Sequence, residues 1–547
     1  MKYPIQTVFF LVLLAIGLGT YRDYGISWDE PLARFRGAVT LKYVTKCLAP
    51  SLLTSAADHV PPLNEYPQRA YGVAFEAPAV ALEVMLGVHD KKNVFMFRHL
   101  LTFLVAVAGI YAVKRMADRR FSDWRIGLLA ALFLVLTPRL FAESFYNSKD
   151  VVFMAVFAIA MNTTIAFVLK PSLKTAFLHA LASAVAIDIR MMAIIVPAAT
   201  VAIVIVRLLK RELPTPLACR ALAVYLPVAS ILVLAMWPWL WSSPIANFVQ
   251  ALGNVSKDYW DDEVLYMGRF IRSTELPWHY IPVWISITTP VLYLGLFLVG
   301  AFNTLRQIAS RSAGLWKGDE ELQDAVFFGL FATPIAAVIL VHPVLYDGWR
   351  HLYFIYPAFL LLAIKGWVSL WGNDWVWSVR KSLLAAVTAI SLIYTAAWMW
   401  KVHPFQNVYF NVFAGTNLRS RYDLDYWGLA NRKALEYILK NDHSEIIDVR
   451  GIHTPVREAL NMIDEPDKKR LRYGQEPSRY IVTNYRQEKD LDDTKYAEAT
   501  TFFIKLKSTT RSFFQYFDGK EMNSTAEQPN AKPCDDLSTR DTRPYFR

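Results

Sequence analysis

Residues 151–169 read Val151-Val152-Phe153-Met154-Ala155-Val156-Phe157-Ala158-Ile159-Ala160-Met161-Asn162-Thr163-Thr164-Ile165-Ala166-Phe167-Val168-Leu169, without one charged side chain. A helix needs roughly 20 mostly apolar residues to cross the hydrocarbon core of a bilayer, so this stretch argues for a membrane span. Uncharged runs of the same order lie at 280–305, 325–346 and 382–400. Shorter runs at 4–20, 99–113, 126–138, 175–187, 191–206, 221–241 and 352–364 reach spanning length with their polar flanks. The total is about eleven. In 175–206 the charges Asp188 and Arg190 interrupt the apolar run, and two helices meeting at a charged turn are expected there.

Composition agrees. Of 547 residues, 54% are hydrophobic and 19% charged, with a mean hydropathy of +0.25; a soluble chain carries about 25% charged residues. The charges gather late: residues 401–547 hold 24 of the 58 basic and 22 of the 47 acidic groups. The expected organisation is a membrane part over 1–400 and a soluble part over 401–547, polar and loose after about 519. Intrinsic disorder and nucleic-acid binding are both set aside, although the net charge is +11. Cys47, Cys219 and Cys534 are too few and scattered for a disulfide framework or a zinc site.

Basic residues in short loops favour the cytoplasmic side. Here they cluster in alternate loops: Lys114 to Arg120, Lys170 and Lys174, Arg207 to Arg220, Arg306 to Lys317, and Arg380 with Lys381. That places the N-terminus inside and the whole region from 401 outside. The run after Lys2 is expected to stay as a first span, because Tyr21-Arg22-Asp23 makes a poor signal-peptide cleavage site. The remaining loops face out, and two are long: 21–97 and 242–279.

The outward loops carry the chemistry. The first opens with Ser27-Trp28-Asp29-Glu30, followed by a stretch from Leu32 to Val44 with the pattern of a helix in the interface plane. Asp29 and Glu30 could simply cap that helix, since acids favour helix N-termini. The short loop 139–150 carries Arg139, Glu143, Lys149 and Asp150. Asp188 and Arg190 add charges at the same expected face, as does His342 through Asp347 and Arg350 to His351. Polar groups this dense beside a membrane are costly unless paired or wet, so a functional site is the default reading. Solvated charges, or Lys149 and Arg190 neutralised by the neighbouring Asp150 and Asp188, are the plainer alternatives. Lys or Arg donors suit the developing charge of a lipid-phosphate leaving group. A carboxylate suits removal of a proton from an acceptor hydroxyl. The tryptophans Trp237, Trp239, Trp241, Trp260, Trp278, Trp284, Trp398 and Trp400 are expected to form an interfacial belt, with sugar stacking as the alternative.

The Ser27-Trp28-Asp29-Glu30 segment resembles the acidic first-loop motif of the GT-C glycosyltransferases, in the branch of protein O-mannosyltransferases and the lipid A aminoarabinose transferase. Asp58-His59-Val60-Pro61-Pro62-Leu63, Gly127-Leu128-Leu129-Ala130-Ala131, Thr137-Pro138 and Glu143-Ser144 are similar to later family segments. So are His403-Pro404-Phe405-Gln406 and Tyr426-Trp427-Gly428, which resemble bacterial members. The resemblance implies a polytopic α-helical membrane protein of GT-C type with a C-terminal extracytoplasmic α/β domain, in a bacterial inner membrane. It implies an inverting hexosyl- or pentosyltransferase using a polyprenyl-monophosphate sugar donor and a lipid, glycan or protein acceptor. Asp29 would be the general base and Glu30 its orienting partner. Lys149, Arg190 and Arg350 would hold the donor phosphate, and Glu143, Asp150 and His351 would line the pocket. No cofactor is fixed; metal dependence varies in the family, a divalent cation is left open, and Asp261-Asp262-Glu263 reads more simply as a solvated turn. The alternatives are a flippase for lipid-linked sugars and a ligase or polymerase using a pyrophosphate carrier. The halves show no self-similarity, and the charges gather at one face instead of the midplane, which disfavours the flippase.

In the tail, 431–440 and 455–462 read as helices, and 445–449, 480–483 and 501–506 as strands. No phosphate loop, nucleophile motif or metal motif accompanies them.

Overall fold

The computed structural model describes residues 2–254, 260, 262–311, 314–372, 378–451, 455–474, 478–484, 486, 501–504 and 512–518. The polar stretch after 519 and Asp261 lie outside them. Each of the eleven apolar runs is helical, ten as one helix and 280–305 as two. In chain order the helices of the membrane part are α1 (Lys2–Thr20), α2 (Glu30–Leu48), α3 (Glu76–Met85), α4 (Lys91–Phe121), α5 (Trp124–Val135), α6 (Pro138–Tyr146), α7 (Asp150–Leu169) and α8 (Leu173–Ile189). They continue as α9 (Ile195–Leu209), α10 (Thr215–Met236), α11 (Pro244–Asn254), α12 (Tyr280–Thr288), α13 (Val291–Arg311), α14 (Gly318–Val341), α15 (Tyr356–Trp371) and α16 (Val379–Val402).

Among the described residues, eight helices are long and apolar enough to cross a membrane, or nine if the bent pair α5 and α6 counts as one; α1 is a shorter apolar helix. Two boundaries differ from the sequence expectation. The uncharged run 280–305 is two helices, because Pro290 follows Thr289, whose backbone is extended, as residues before proline prefer. The expected loop 139–150 is mostly α6, turned by 72° from α5. Pro138 sits in its first turn, where a missing N–H costs nothing.

Helices α13 and α15 meet at Gly300 and Gly366. A Cβ on either would lie within 2 Å of a carbonyl oxygen, Leu362 or Leu296. Small residues that let backbones approach are a usual way of joining helices in lipid, where no hydrophobic drive remains. Around this pair α4, α7 and α15 supply the most buried side chains of one continuous core.

The first outward loop folds onto the bundle. Arg98 of α4 is buried and pairs with Glu76 and with Glu83 of α3, the latter at 2.9 Å, while Arg34 of α2 reaches Glu83 at 2.8 Å. Loop 242–279 adds α11 and a hairpin, β1 (Glu263–Tyr266) with β2 (Arg269–Arg272), turned at Met267-Gly268.

Past α16, α17 (Asn431–Asn441) and α18 (Pro455–Ala459) pack on a sheet of β3 (Ile447–Gly451), β4 (Leu471–Tyr473), β5 (Tyr480–Thr483), β6 (Thr501–Ile504) and β7 (Ser512–Asp518) in the order β4-β3-β5-β7-β6. The central pairs β3–β4 and β3–β5 are parallel, and β7 runs antiparallel to both neighbours. Strands β4 and β7 are additions to the sequence expectation. Arg432 of α17 donates to the Arg22 and Tyr24 carbonyls, at 2.7 and 2.9 Å, and so docks this sheet region on the first loop.

Candidate active site

The turn Ser27-Trp28-Asp29-Glu30 sends its two carboxylates in different directions. Glu30 is 2% exposed; its Oε2 accepts from the Ser27 N–H at 2.7 Å and lies 3.1 Å from Ser27 Oγ, and its Oε1 lies 3.1 Å from His99 Nε2. These bonds close the turn just ahead of α2. Glu30 therefore builds the turn and does not face the charged cluster, against the expectation that it orients the acceptor. Asp29 stands at the helix N-cap with helical backbone angles and makes no capping hydrogen bond. Neither carboxylate therefore caps α2 by a hydrogen bond, and the Asp29 side chain, 26% exposed, is left for another partner.

That partner is Arg350, whose side chain is 1% exposed. Its Nη1 donates to Asp29 Oδ2 at 3.1 Å and to Asp150 Oδ2 at 3.1 Å, and its Nη2 lies 3.2 Å from Asp347 Oδ2. Arg350 was expected among the phosphate ligands; instead it is the common counter-ion of three carboxylates. Arg190 pairs with the other oxygen of Asp150. Asp188 does not neutralise it: its Oδ1 accepts from the Val73 and Ala74 N–H groups, both at 2.6 Å, and fixes the part of the first loop just before α3.

Among the described residues, Lys149 and Arg36 are the cations of this cluster with no ion pair to an acid. Lys149, the residue before α7, has no ion pair among the described residues and sits 5.0 Å from the Tyr71 ring centre. Arg36, 7% exposed, lies 4.7 Å from the centre of the same Tyr71 ring, with its Nε unsatisfied among the described residues. Sequence reading placed Arg36 in the interface plane and missed it. The signal was present: Ala33, Arg36, Gly37 and Thr40 share the face of α2 that buries Glu30, and small residues mark a face that packs closely.

Electrostatics follow from this count. Burial would raise the Asp29 carboxyl, but Arg350 and then Lys149 outweigh it and hold the group below its usual range. Burial and the neighbouring Arg190 pull the Lys149 ammonium down to about 7. An anion placed at Lys149 would oppose that pull.

The other expected residues divide. Asp150 belongs to the cluster. His351 is half-buried and meets Tyr346 edge-on at 4.8 Å. Glu143 is fully buried and saturated, accepting from Asn147 at 2.7 Å, Tyr353 at 2.8 Å and Tyr426 at 3.1 Å, so it ties α6 to the 426 segment instead of lining an open pocket. Of the tryptophans, Trp237, Trp239 and Trp284 are core, whereas Trp278 and Trp400 are exposed; the first three form neither a belt nor a sugar platform. Among the described residues no group of three or more His, Cys, Asp or Glu could hold a metal ion.

Residues 80–237 match the family model described as dolichyl-phosphate-mannose-protein mannosyltransferase. The match bears out the GT-C resemblance over a stretch holding Glu143, Lys149, Asp150 and Arg190; Asp29, Arg36, Asp347 and Arg350 lie outside it. No curated protein matches the chain by sequence. The crystal structure of ArnT from Cupriavidus metallidurans bound to undecaprenyl phosphate aligns with a TM-score of 0.45 at 12% identity, covering 86% of each chain. The same protein in the apo state aligns with a TM-score of 0.46 at 11% identity, covering 94% of this chain and 98% of that one.

Proposed function

We propose that this chain is an inverting glycosyltransferase that moves a hexose or pentose from a polyprenyl-monophosphate carrier to the hydroxyl of an extracytoplasmic lipid, glycan or protein acceptor. The observation that supports the reading is the presence, in one cluster, of a partly exposed carboxylate and two cations that have no acid partner among the described residues. Asp29 takes the acceptor proton as the acceptor oxygen bonds to the anomeric carbon; the bond from that carbon to the phosphate oxygen breaks, and polyprenyl phosphate leaves with both electrons. A carboxylate held this low is a weak base, so it orients the hydroxyl first and removes the proton late, as the bond forms. Lys149 and Arg36 receive the phosphate charge, with Arg190 beside them. Arg350 keeps Asp29 and Asp150 ionised and in place, and Glu30 acts only by shaping the turn.

The reading places the chain in a bacterial inner membrane with the N-terminus cytoplasmic and the sheet region outside. Lys440 is exposed, so a cysteine there, with all three native cysteines (Cys47, Cys219 and Cys534) replaced, reports sidedness. Labelling by an impermeant maleimide only after lysis rejects the orientation. Transfer is tested with purified protein and a synthetic polyprenyl-phosphate sugar. Lipid movement in vesicles with no transfer to any acceptor would favour the flippase instead.

A further inference from the structure

We propose that α11 is immersed in the bilayer surface, with Ile245, Val249 and Leu252 turned into the lipid, so that the partner of this part of loop 242–279 is a leaflet of the membrane. The leaflet is the outer one in the orientation given above; the immersion itself depends neither on that orientation nor on the reaction.

The sequence of α11, Pro244-Ile245-Ala246-Asn247-Phe248-Val249-Gln250-Ala251-Leu252-Gly253-Asn254, contains no charged residue. With 3.6 residues per turn, neighbouring stripes of a helix stand about 100° apart, and here they differ in character. Asn247 and Ala251 face the protein, Ala251 being 5% exposed, and Phe248 packs on the core beside them. Ile245, Val249 and Leu252 are 82%, 61% and 45% exposed. Ala246, Gln250 and Gly253 are exposed too, and are small or polar. A helix on a water-facing surface needs one protein side and one polar side. The apolar stripe is a further side, turned away from the protein, and a helix lying in the interface plane has a use for it: protein beside, water above, lipid below.

Local bonds put α11 at the required height. Helix α10 crosses the membrane as far as Met236, with Leu226 and Ile231 exposed on its surface. The turn after it folds back instead of reaching out. Trp241 Nε1 donates at 2.8 Å to the Leu234 carbonyl, one of those that a helix end leaves open. Asn247 Nδ2 donates to the Trp239 carbonyl at 2.8 Å and lies 3.1 Å from Ser242 Oγ. These bonds hold the first turns of α11 against the end of a spanning helix, and its apolar stripe continues the lipid-facing surface of α10. The last part of α2 meets the same place, with Tyr43 5.9 Å from Trp241, and exposes Leu48 by 73%. Since α11 is uncharged, burial of apolar area holds it in the leaflet, not attraction to anionic headgroups. The same loop later carries Trp260, whose ring lies 4.4 Å from that of Tyr346, the residue before Asp347. The leaflet therefore holds the start of a loop whose later part borders the charged cluster.

The test reads depth in a bilayer, without turnover. Full-length protein with Cys47, Cys219 and Cys534 replaced carries one nitroxide, attached through Ile245→Cys, Val249→Cys, Leu252→Cys or Gln250→Cys. All four positions are exposed, so the label displaces no packed side chain. The vesicles are phosphatidylcholine, because an uncharged helix needs no anionic lipid. Power saturation compares collisions with oxygen, which concentrates in hydrocarbon, and with a neutral nickel chelate, which stays in water. Oxygen should dominate at 245, 249 and 252, at depths of about 5–10 Å into the boundary between headgroups and acyl chains. The chelate should dominate at 250. Chelate-dominated collisions at 245, 249 and 252 put the stripe in water and overturn the proposal. An immobilised nitroxide that neither reagent reaches puts the stripe against protein, a second copy of the chain included, and overturns it equally. Oxygen dominance at 250 as well would remove the in-plane placement. Ile231→Cys on α10 is the standard and should read as lipid-facing; a water-facing result there would remove the membrane crossing of α10, and the proposal with it. Sugar transfer enters none of these readings, so its absence bears on the assigned reaction alone.

Discussion

Arg350 Nη1 donates to the Asp29 carboxylate at 3.1 Å across 321 positions of chain. Asp29 stands between the first span and the interfacial helix; Arg350 opens the turn leading into α15, one of the most buried helices. The bond therefore fixes a loop carboxylate to the rigid centre of the bundle, and a site held by packed elements keeps its geometry better than one made of loops alone.

Asp29→Asn is expected to lower turnover by about 10²-fold or more, the usual scale of general-base catalysis. Its stability cost should be modest, because Asp29 makes no capping bond. What is lost is one hydrogen bond to a charged group, worth about 1.5–3 kcal/mol when fully buried and less for a side chain 26% exposed. Near-normal turnover of a folded Asp29→Asn would move the role of base to Asp150.

Arg350→Gln should behave quite differently. It strips the shared cation from three carboxylates, and breaking a buried pair by removing one partner costs about 3–5 kcal/mol. Melting temperature should fall well below that of Asp29→Asn, and adding Asp347→Asn should recover part of the loss. A melting temperature equal to wild type would mean that water, not Arg350, compensates these acids.

The spans were legible because a missing charge is visible in a linear chain. The residues 151–169 form α7 almost to the residue. Direction is not visible in the same way: Thr289-Pro290 splits an uncharged run, and Pro138 swings α6 through 72°. Pairing was the least legible. Sequence proximity suggested Asp188 for Arg190, yet the structure gives Arg190 to Asp150 and gives Asp188 to two backbone N–H groups. Arg36 looked interfacial because charge on a half-apolar helix usually is, and only its small neighbours hinted otherwise. Residues 29, 150 and 350 could be grouped at one face from the alternation of loops, but not joined through one guanidinium.

The contact that Asp188 makes gives a prediction about Gly72. A Cβ there would lie 1.4 Å from the Asp188 carbonyl oxygen and 2.8 Å from its Oδ1. Backbone, not a flexible side-chain end, blocks it, so Gly72→Ala must push the loop off Asp188. A clear drop in melting temperature is expected, together with weaker protection by a donor analogue, since Arg190 follows two residues later. Gly329→Ala is the control: nothing lies within 4 Å of its Cβ position, and alanine in a helix gains roughly 1 kcal/mol over glycine. Equal melting temperatures for the two variants would show that this loop yields freely.

Donor binding should weaken as pH rises through neutrality, and Lys149 is the reason. Burial and Arg190 bring its ammonium down to about 7, so near pH 7 roughly half the free protein carries it neutral. A phosphodiester beside it favours the charged form and raises its pKa. Binding then takes up a proton, and linkage makes affinity fall with rising pH between the free and the bound pKa values. A polyprenyl-phosphate sugar is itself a singly charged diester with nothing to titrate in that range, so the pH dependence belongs to the protein. Titration of a non-transferable donor analogue at pH 6 and pH 8, by thermal shift and by calorimetry in two buffers of different ionisation enthalpy, measures both effects. Wild type should bind more tightly at pH 6, with proton uptake. Lys149→Met should bind more weakly and lose the pH dependence. Arg36→Met should bind more weakly yet keep it, because a guanidinium stays charged throughout. If Lys149→Met keeps the wild-type affinity and pH profile, the phosphate does not rest on Lys149, and Arg36 with Arg190 becomes the pair to test.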